Sequence, residues 1–193
     1  MSKSTDTLIK AFGMSGYQIE SDIKEISNRY SVELGNSTRR RQIDGYDQFE
    51  RTVRSEASEM SEYYEIFYCL ENSIRKLISD TLTESEGGDW WNSNRIPEKI
   101  RTDVSSRKKK ELDNGVSVRS DFDIDFTTFG ELLVIITSNW DIFDAIFSSQ
   151  RAVERVLSHL NLLRGPIAHC CPISEDEKAR LELTVKDWFR TMS

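Results

Sequence analysis

The chain has 193 residues, 37% of them hydrophobic and 31% charged, which suits one folded domain with a hydrophobic core and is too short for two large domains. Its formal net charge of −7 excludes binding of nucleic acid through a uniformly basic surface. Two basic runs, Arg39–Arg41 and Arg107–Lys110, are candidates for a local site that binds nucleic acid. The alternative is that they are solvated helix ends or loops. The three cysteines form no disulfide framework, and no segment resembles a signal peptide or a membrane span. We therefore expect a cytoplasmic protein without a membrane partner.

The first sixty residues are predicted to form a helical extension and a linker, ahead of a helical bundle over residues 61–193. Ser15 and Gln18 have the spacing of a capping box, and isoleucines follow at helical intervals. This pattern predicts a helix from Ser15 to about Tyr30. The polar and basic stretch at residues 37–44 is typical of a linker.

The longest helical signal covers residues 44–82. It is compatible with one extended helix or with two helices joined near Ser55–Ser58. Glu71 is the only charged member of its apolar stripe, and Arg75 follows one helical turn later, which predicts an ion pair between the two. The stripe recurs every three or four positions and consists of Tyr46, Phe49, Val53, Ala57, Met60, Tyr64, Phe67, Glu71, Ile74 and Ile78.

The rest of the chain also shows helical rather than strand patterning, so the predicted fold class is all-α. Only residues 116–126 leave a short strand open as an alternative. The predicted elements are, in chain order, a loop at 84–94, a helix over 97–112, a buried helix over 126–147 that breaks near Asn139, a helix from about Ser149, and a final helix capped by Ser174.

The segment from Arg164 to His169 is the main functional clue. Pro166 cannot continue a helix and disfavours helical geometry at Gly165, so the preceding helix is predicted to end near Arg164. The chain can then bend and bring His169 back toward Arg164, whereas a continuous helix would hold the two side chains on different faces. Histidine can move protons to and from RNA oxygens, and arginine can hold a phosphate. The pair can cleave RNA without a metal or a cofactor, but on spacing alone an ordinary loop histidine is the commoner explanation.

Several landmarks follow one another along the chain: the segment 64–78, Trp90-Trp91 followed by Ile96-Pro97, the segment 129–136 with Asn139-Trp140, Leu163-Arg164 and Ala168-His169. This ordered set resembles the HEPN superfamily and, within it, the Swt1-type HEPN domains. The landmarks span about residues 62–192. The resemblance implies a HEPN-like helical bundle that forms a homodimer and places two Arg-His motifs across a cleft. It also implies a metal-independent endoribonuclease that acts as a toxin or anti-phage defence effector on an RNA substrate. An antitoxin or a larger defence-complex protein would restrain it.

The same resemblance implies roles for individual residues. Arg164 would contact the scissile phosphate, and His169 would act as general base or general acid. Glu71 and Arg75 would support the site from the long helix, with a plain surface ion pair as the alternative. Stacking of Trp90 on RNA bases is weighed against closure of the bundle by the same ring. The positions that could make further contacts to RNA are Lys108, Lys109, Lys110 and Trp90.

One departure from the family pattern concerns the residue after the arginine. Active members commonly carry a polar residue there, often asparagine, whereas this chain has Gly165. Glycine offers the phosphate no side-chain donor. This difference keeps open a second interpretation, in which the protein is a catalytically inactive HEPN-like interaction module that docks a larger partner.

Overall fold

The computed structural model describes residues 43–192. It also describes four upstream positions, all helical: Ile19, Asp22, Ile26 and Arg29. The rest of the helix predicted over residues 15–30 and most of the predicted linker, including Arg39–Arg41, lie outside the described residues. The chain divides into two compact units, Met1–Phe49 and Glu50–Ser193. In the first, Tyr46–Gln48 forms a short 3₁₀ helix.

The second unit is helical, which confirms the predicted all-α class. No strand occurs among the described residues, and the doubtful stretch 116–126 ends in a 3₁₀ helix. In the same part of the chain no helix is both long and apolar enough to cross a membrane. The helices are α1 Arg51–Glu86, α2 Glu98–Asp113, α3 Phe129–Ser138, α4 Trp140–Phe143, α5 Gln150–Ala168 and α6 Glu175–Arg190, with 3₁₀ helices at Trp90–Asn92 and Asp123–Phe126.

Helix α1 is a single uninterrupted helix of 36 residues, so the segment 44–82 does not divide near Ser55–Ser58. Only the later part of its apolar stripe is in the core, where Phe67, Ile74 and Ile78 are buried. Tyr64 and Val53 belong to the same stripe but are largely exposed. A periodic pattern identifies the apolar face of a helix, but it does not say how far another element covers that face.

The core lies between α1, α3, α5 and α6, and α5 packs against both α3 and α6. The break predicted near Asn139 separates α3 from α4. The Asn139 side chain is buried there, and its amide donates hydrogen bonds to the carbonyls of Arg95 (3.0 Å) and Ile135 (2.8 Å). These two hydrogen bonds pair the buried amide nitrogen, fix the break and tie it to the loop before α2, whereas the buried Oδ1 accepts no hydrogen bond from a described residue.

Helix α3 begins at a capping box in which Thr128 and Glu131 bond each other's backbone. Arg107 of α2 pairs with both carboxylate oxygens of Glu131 at 2.8 Å and donates to the Phe126 carbonyl at 2.9 Å. Burial raises the pKa of the Glu131 carboxyl, but the hydrogen bonds from Arg107 and Thr128 outweigh it and hold that pKa below its ordinary value. These contacts anchor the chain beside Thr127, whose backbone carbonyl takes part in the site described next.

Candidate functional site

Helix α5 does not end near Arg164, as Pro166 led us to predict, but continues to Ala168. Gly165 lacks the Cβ that would otherwise clash with the following proline ring in helical geometry. Pro166 cannot donate the helical hydrogen bond to the Leu162 carbonyl, but Leu162 is exposed, so water can bind that carbonyl instead. Ile167 is buried in the core, and this burial holds the last turn in place. Local chain geometry at the proline is thus outweighed by packing.

We expect Pro166→Ala to raise the free energy of unfolding by about 1–2 kcal/mol, because alanine restores the missing helical hydrogen bond and removes the ring clash. Gly165→Ala alone should give little or nothing, because its Cβ meets the proline ring. The double variant should therefore exceed the sum of the two single changes. Urea unfolding of the three variants tests this, and an unchanged or lower midpoint for Pro166→Ala contradicts it.

The end of α5 is closed by backbone hydrogen bonds around His169, which is the C-terminal cap residue. The Cys171 amide donates to the Pro166 carbonyl at 2.8 Å, and the Cys170 amide donates to the Ile167 carbonyl at 3.3 Å. This is a Schellman motif, in which the residue after the cap is left-handed and is usually glycine. Here that residue is Cys170, with φ of 55°. The motif fixes the backbone of His169 and leaves its side chain exposed.

Arg164 is held from across the bundle by Glu71 of α1. Its Nε donates to Glu71 Oε2 at 3.1 Å, over a sequence separation of 93 residues. The other carboxylate oxygen of Glu71 accepts a hydrogen bond from Arg75, the ion pair that the i, i+4 spacing predicts. The Glu71 side chain is only 12% exposed, so this carboxylate is an interior anchor for two guanidinium groups.

Arg75 extends this chain of contacts to the start of α3. The Arg75 Nη2 atom that binds Glu71 also donates to the Thr127 carbonyl at 3.1 Å. The preceding carbonyl, that of Phe126, accepts the hydrogen bond from Arg107 described above. Sequence reasoning missed Thr127, because a backbone carbonyl 52 residues away has no side-chain signature. The result is a continuous network from Arg164 to the α3 capping box.

The charge balance at Glu71 is positive, since two guanidinium groups share one carboxylate. Arg164 is the accessible member, with 37% of its side chain exposed. Neither of its Nη atoms donates a hydrogen bond within the described part of the chain, so both can bind an anion. An arginine whose Nε is held by a carboxylate presents these two donors in a fixed plane that matches a phosphate.

His169 follows Arg164 by five positions at the end of a continuous helix. Five residues at about 100° each put the two side chains about 140° apart around the axis. Our prediction that the chain bends and brings His169 back toward Arg164 is therefore wrong. The imidazole makes no hydrogen bond to any described residue, and it is free to meet a ligand or a second chain.

Trp90 does not form a surface for RNA bases. Its side chain is only 8% exposed and packs in the core, edge-on to Trp91 with ring centroids 5.6 Å apart. Closure of the bundle, the alternative interpretation, is the one that fits. Stacking on bases needs an open ring face, which this burial removes.

The three lysines that were predicted to contact RNA lie on α2. Lys108 pairs with Asp123 at 3.0 Å, whereas the side chains of Lys109 and Lys110 are exposed. Within residues 43–192 no hydrogen bond or ion pair links them to Glu71, Arg75 or Arg164. Their contact with RNA stays a prediction. No group of three His, Cys, Asp or Glu side chains among the described residues is placed to hold a metal ion.

Most of the chain matches a known protein family. The model of a family described as Swt1-like HEPN matches residues 65–193, more than half of the chain. This match confirms the resemblance drawn from the sequence landmarks, and its range includes Glu71, Arg164 and His169. No curated protein and no solved structure matches the chain.

Proposed function

The chain belongs to the Swt1-like HEPN family, and we propose that it is an endoribonuclease that cleaves RNA without a metal ion. The observation that carries the proposal is the state of Arg164. Glu71 fixes its guanidinium, two of its nitrogens are free to bind a phosphate, and an exposed histidine follows at the end of the same helix. The family membership supports the same reaction class.

The proposed reaction uses the 2′-hydroxyl of the RNA as the nucleophile. A histidine takes the proton from that hydroxyl, O2′ attacks the adjacent phosphorus, and the bond from phosphorus to the 5′-oxygen breaks. The leaving oxygen takes up a proton from a second acid. The products are a 2′,3′-cyclic phosphate and a 5′-hydroxyl end. Arg164 binds the phosphate oxygens and stabilises the charge that develops on them.

A homodimer is part of this proposal. His169 and Arg164 of one chain point to different sides of α5, so one chain does not aim both side chains at one phosphate. Two copies with their α5 ends facing each other would supply two histidines, one as base and one as acid, together with two arginines. The second pair of positive charges would also attract RNA to a chain whose own net charge is −7.

In the cell we propose a toxin or anti-phage defence role in the cytoplasm, restrained by an antitoxin or a larger defence-complex protein. The support for this role is the family alone. An active ribonuclease with exposed catalytic groups damages its own cell, so restraint by a partner that covers Arg164 and His169 is the expected form of control.

The test of the proposed activity is incubation of the purified protein with total tRNA and with an unstructured RNA in EDTA. We expect cleavage to leave 2′,3′-cyclic phosphate ends, and DNA of the same sequence to stay intact because it lacks the nucleophile. Arg164→Ala should lower the rate by about 100-fold to 1,000-fold. Arg155→Ala, at an exposed position of the same helix, is the matched control and should cleave normally. No cleavage in EDTA, or equal cleavage by Arg164→Ala, counts against the proposal.

Gly165 favours a second candidate function, that of an inactive HEPN-like interaction module. It gives the phosphate no side-chain donor, although apart from its own chain neighbours and helical turn no atom of a described residue lies within 4 Å of where a Cβ would be. Under this alternative, Arg164→Ala and His169→Ala leave the biological function intact, and surface changes on α1 abolish it. A phenotype assay with these variants separates the two functions.

A further inference from the structure

Two tyrosines on α1, Tyr64 and Tyr68, form an exposed aromatic pair. Their side chains are 62% and 59% exposed. The ring centroids are 6.2 Å apart and the ring planes are inclined by 35°, so the rings are tilted and do not cover each other by parallel stacking. Large aromatic side chains are normally covered, and a pair left open at this extent is a candidate contact surface.

The pair lies next to the Glu71–Arg164 contact on the same side of α1. Tyr68 precedes Glu71 by three residues, which is about 4.5 Å along the helix axis and about 60° around it. Tyr64 precedes Glu71 by seven residues, about 10.5 Å along the axis and about 20° around it. The two rings therefore continue from the carboxylate that holds Arg164, in a line along the helix.

We propose that Tyr64 and Tyr68 form a stacking surface for the unpaired bases beside the phosphate that Arg164 binds. This inference rests on the proposed function, which it deepens by naming the residues that hold those bases. Aromatic rings stack on any base, whereas the bases of a duplex are already stacked on each other and offer no free face.

The free donors of Arg164 favour RNA over a protein partner at this position, although two exposed carboxylates, Glu62 and Glu65, flank Tyr64. Arg164 has two nitrogens free to bind a phosphate, and RNA supplies a phosphate next to every base. A tyrosine pair also combines an apolar ring with a polar hydroxyl, which suits a surface that is wet in the free protein. The competing occupant is a second copy of the chain, packed on the apolar face of α1 that continues toward Val53.

The test measures binding of a short single-stranded RNA analogue in which 2′-O-methyl groups prevent cleavage. We expect Tyr64→Ala and Tyr68→Ala each to weaken binding by about 5-fold to 150-fold, the usual loss per stacked base. Tyr64→Phe keeps the ring and should bind like the wild type, whereas Tyr64→Leu keeps apolar volume without a stacking face and should bind like Tyr64→Ala. Phe122→Ala, at an exposed aromatic residue far along the chain, is the control.

The other outcomes decide between the occupants. If Tyr64→Leu binds RNA fully, this face is assigned to a second copy and the proposal is overturned. The same holds if light scattering shows a lower molar mass for the alanine variants and the wild-type molar mass for Tyr64→Leu. Equal binding by the alanine variants overturns it too. Cleavage by the wild type with tyrosine-independent binding leaves the ribonuclease and removes the stacking surface. Tyrosine-dependent binding without cleavage leaves the stacking surface and rejects the ribonuclease. The absence of both binding and cleavage rejects both proposals.

Discussion

His169→Ala is expected to lower RNA cleavage in EDTA by about 100-fold to 10,000-fold, the usual contribution of a general acid or base. The imidazole is exposed and makes no hydrogen bond to a described residue, so its removal should leave the free energy of unfolding within about 0.5 kcal/mol. Single-turnover cleavage and urea unfolding of the same preparation measure the two effects. A large loss of rate with unchanged stability is the signature of a residue that acts on the RNA.

The chain supplies its own control for this experiment. His159, the only other histidine, also lies on α5, but it is partly buried and lies 3.4 Å from the Thr184 hydroxyl. His159→Ala should therefore lower stability and leave the cleavage rate of the folded protein unchanged. If His159→Ala loses as much cleavage as His169→Ala, or if His169→Ala cleaves normally, the catalytic assignment is wrong.

Local sequence signals predicted most of the helical framework. The break at Asn139, the helix start at Ser149 and the cap at Ser174 all follow from residues within one turn of the feature that they set. Such features depend on backbone hydrogen bonds and short side chains, so a single sequence contains the information. The long stripe of α1 likewise predicted one apolar helix face. The position along the helix at which this face becomes buried could not be predicted from the local sequence.

The errors occurred where distant packing decides. A proline rule predicted the end of α5, but a glycine before the proline and the buried Ile167 after it keep the helix intact. Local patterns also left Trp90 open between stacking on RNA and closure of the bundle, and its burial depends on elements that no local pattern identifies. Burial is a property of the assembled bundle, and hydrophobicity alone cannot say which aromatic ring becomes a surface.

The candidate site shows the same division. Arg164, His169 and Glu71 were identified by residue type and by the family resemblance, and the i, i+4 spacing predicted the contact of Glu71 with Arg75. The contact between Glu71 and Arg164 joins residues 93 positions apart, and only the packing of α1 against α5 creates it. Residue chemistry can therefore be predicted from the sequence, but the geometry that gives Arg164 its fixed plane cannot.

Glu71→Gln is the second change expected to have a large effect, on stability as well as on cleavage. Glutamine keeps the shape of the side chain but removes the charge that Arg75 and Arg164 share. The single amide oxygen of glutamine replaces two carboxylate oxygens, so the largely buried Arg75 or its neighbour Arg164 loses its acceptor and both lose the negative charge. We expect a loss of about 2–3 kcal/mol in the free energy of unfolding. Glu65→Gln, an exposed carboxylate on the same helix, should change stability by less than about 0.5 kcal/mol.

The effect of Glu71→Gln on cleavage separates positioning from simple loss of folding. If Glu71 acts by holding the Arg164 guanidinium in place, the change should lower the cleavage rate of the folded protein in an otherwise unchanged chain. In the Arg164→Ala background it should have no further effect on that rate, because the group that it positions is gone. Cleavage rates of the two single variants and the double variant, measured at temperatures well below unfolding, test this double-mutant cycle. Additive losses would mean that Glu71 affects the reaction by another route, and the fixed plane of Arg164 would then not explain its role.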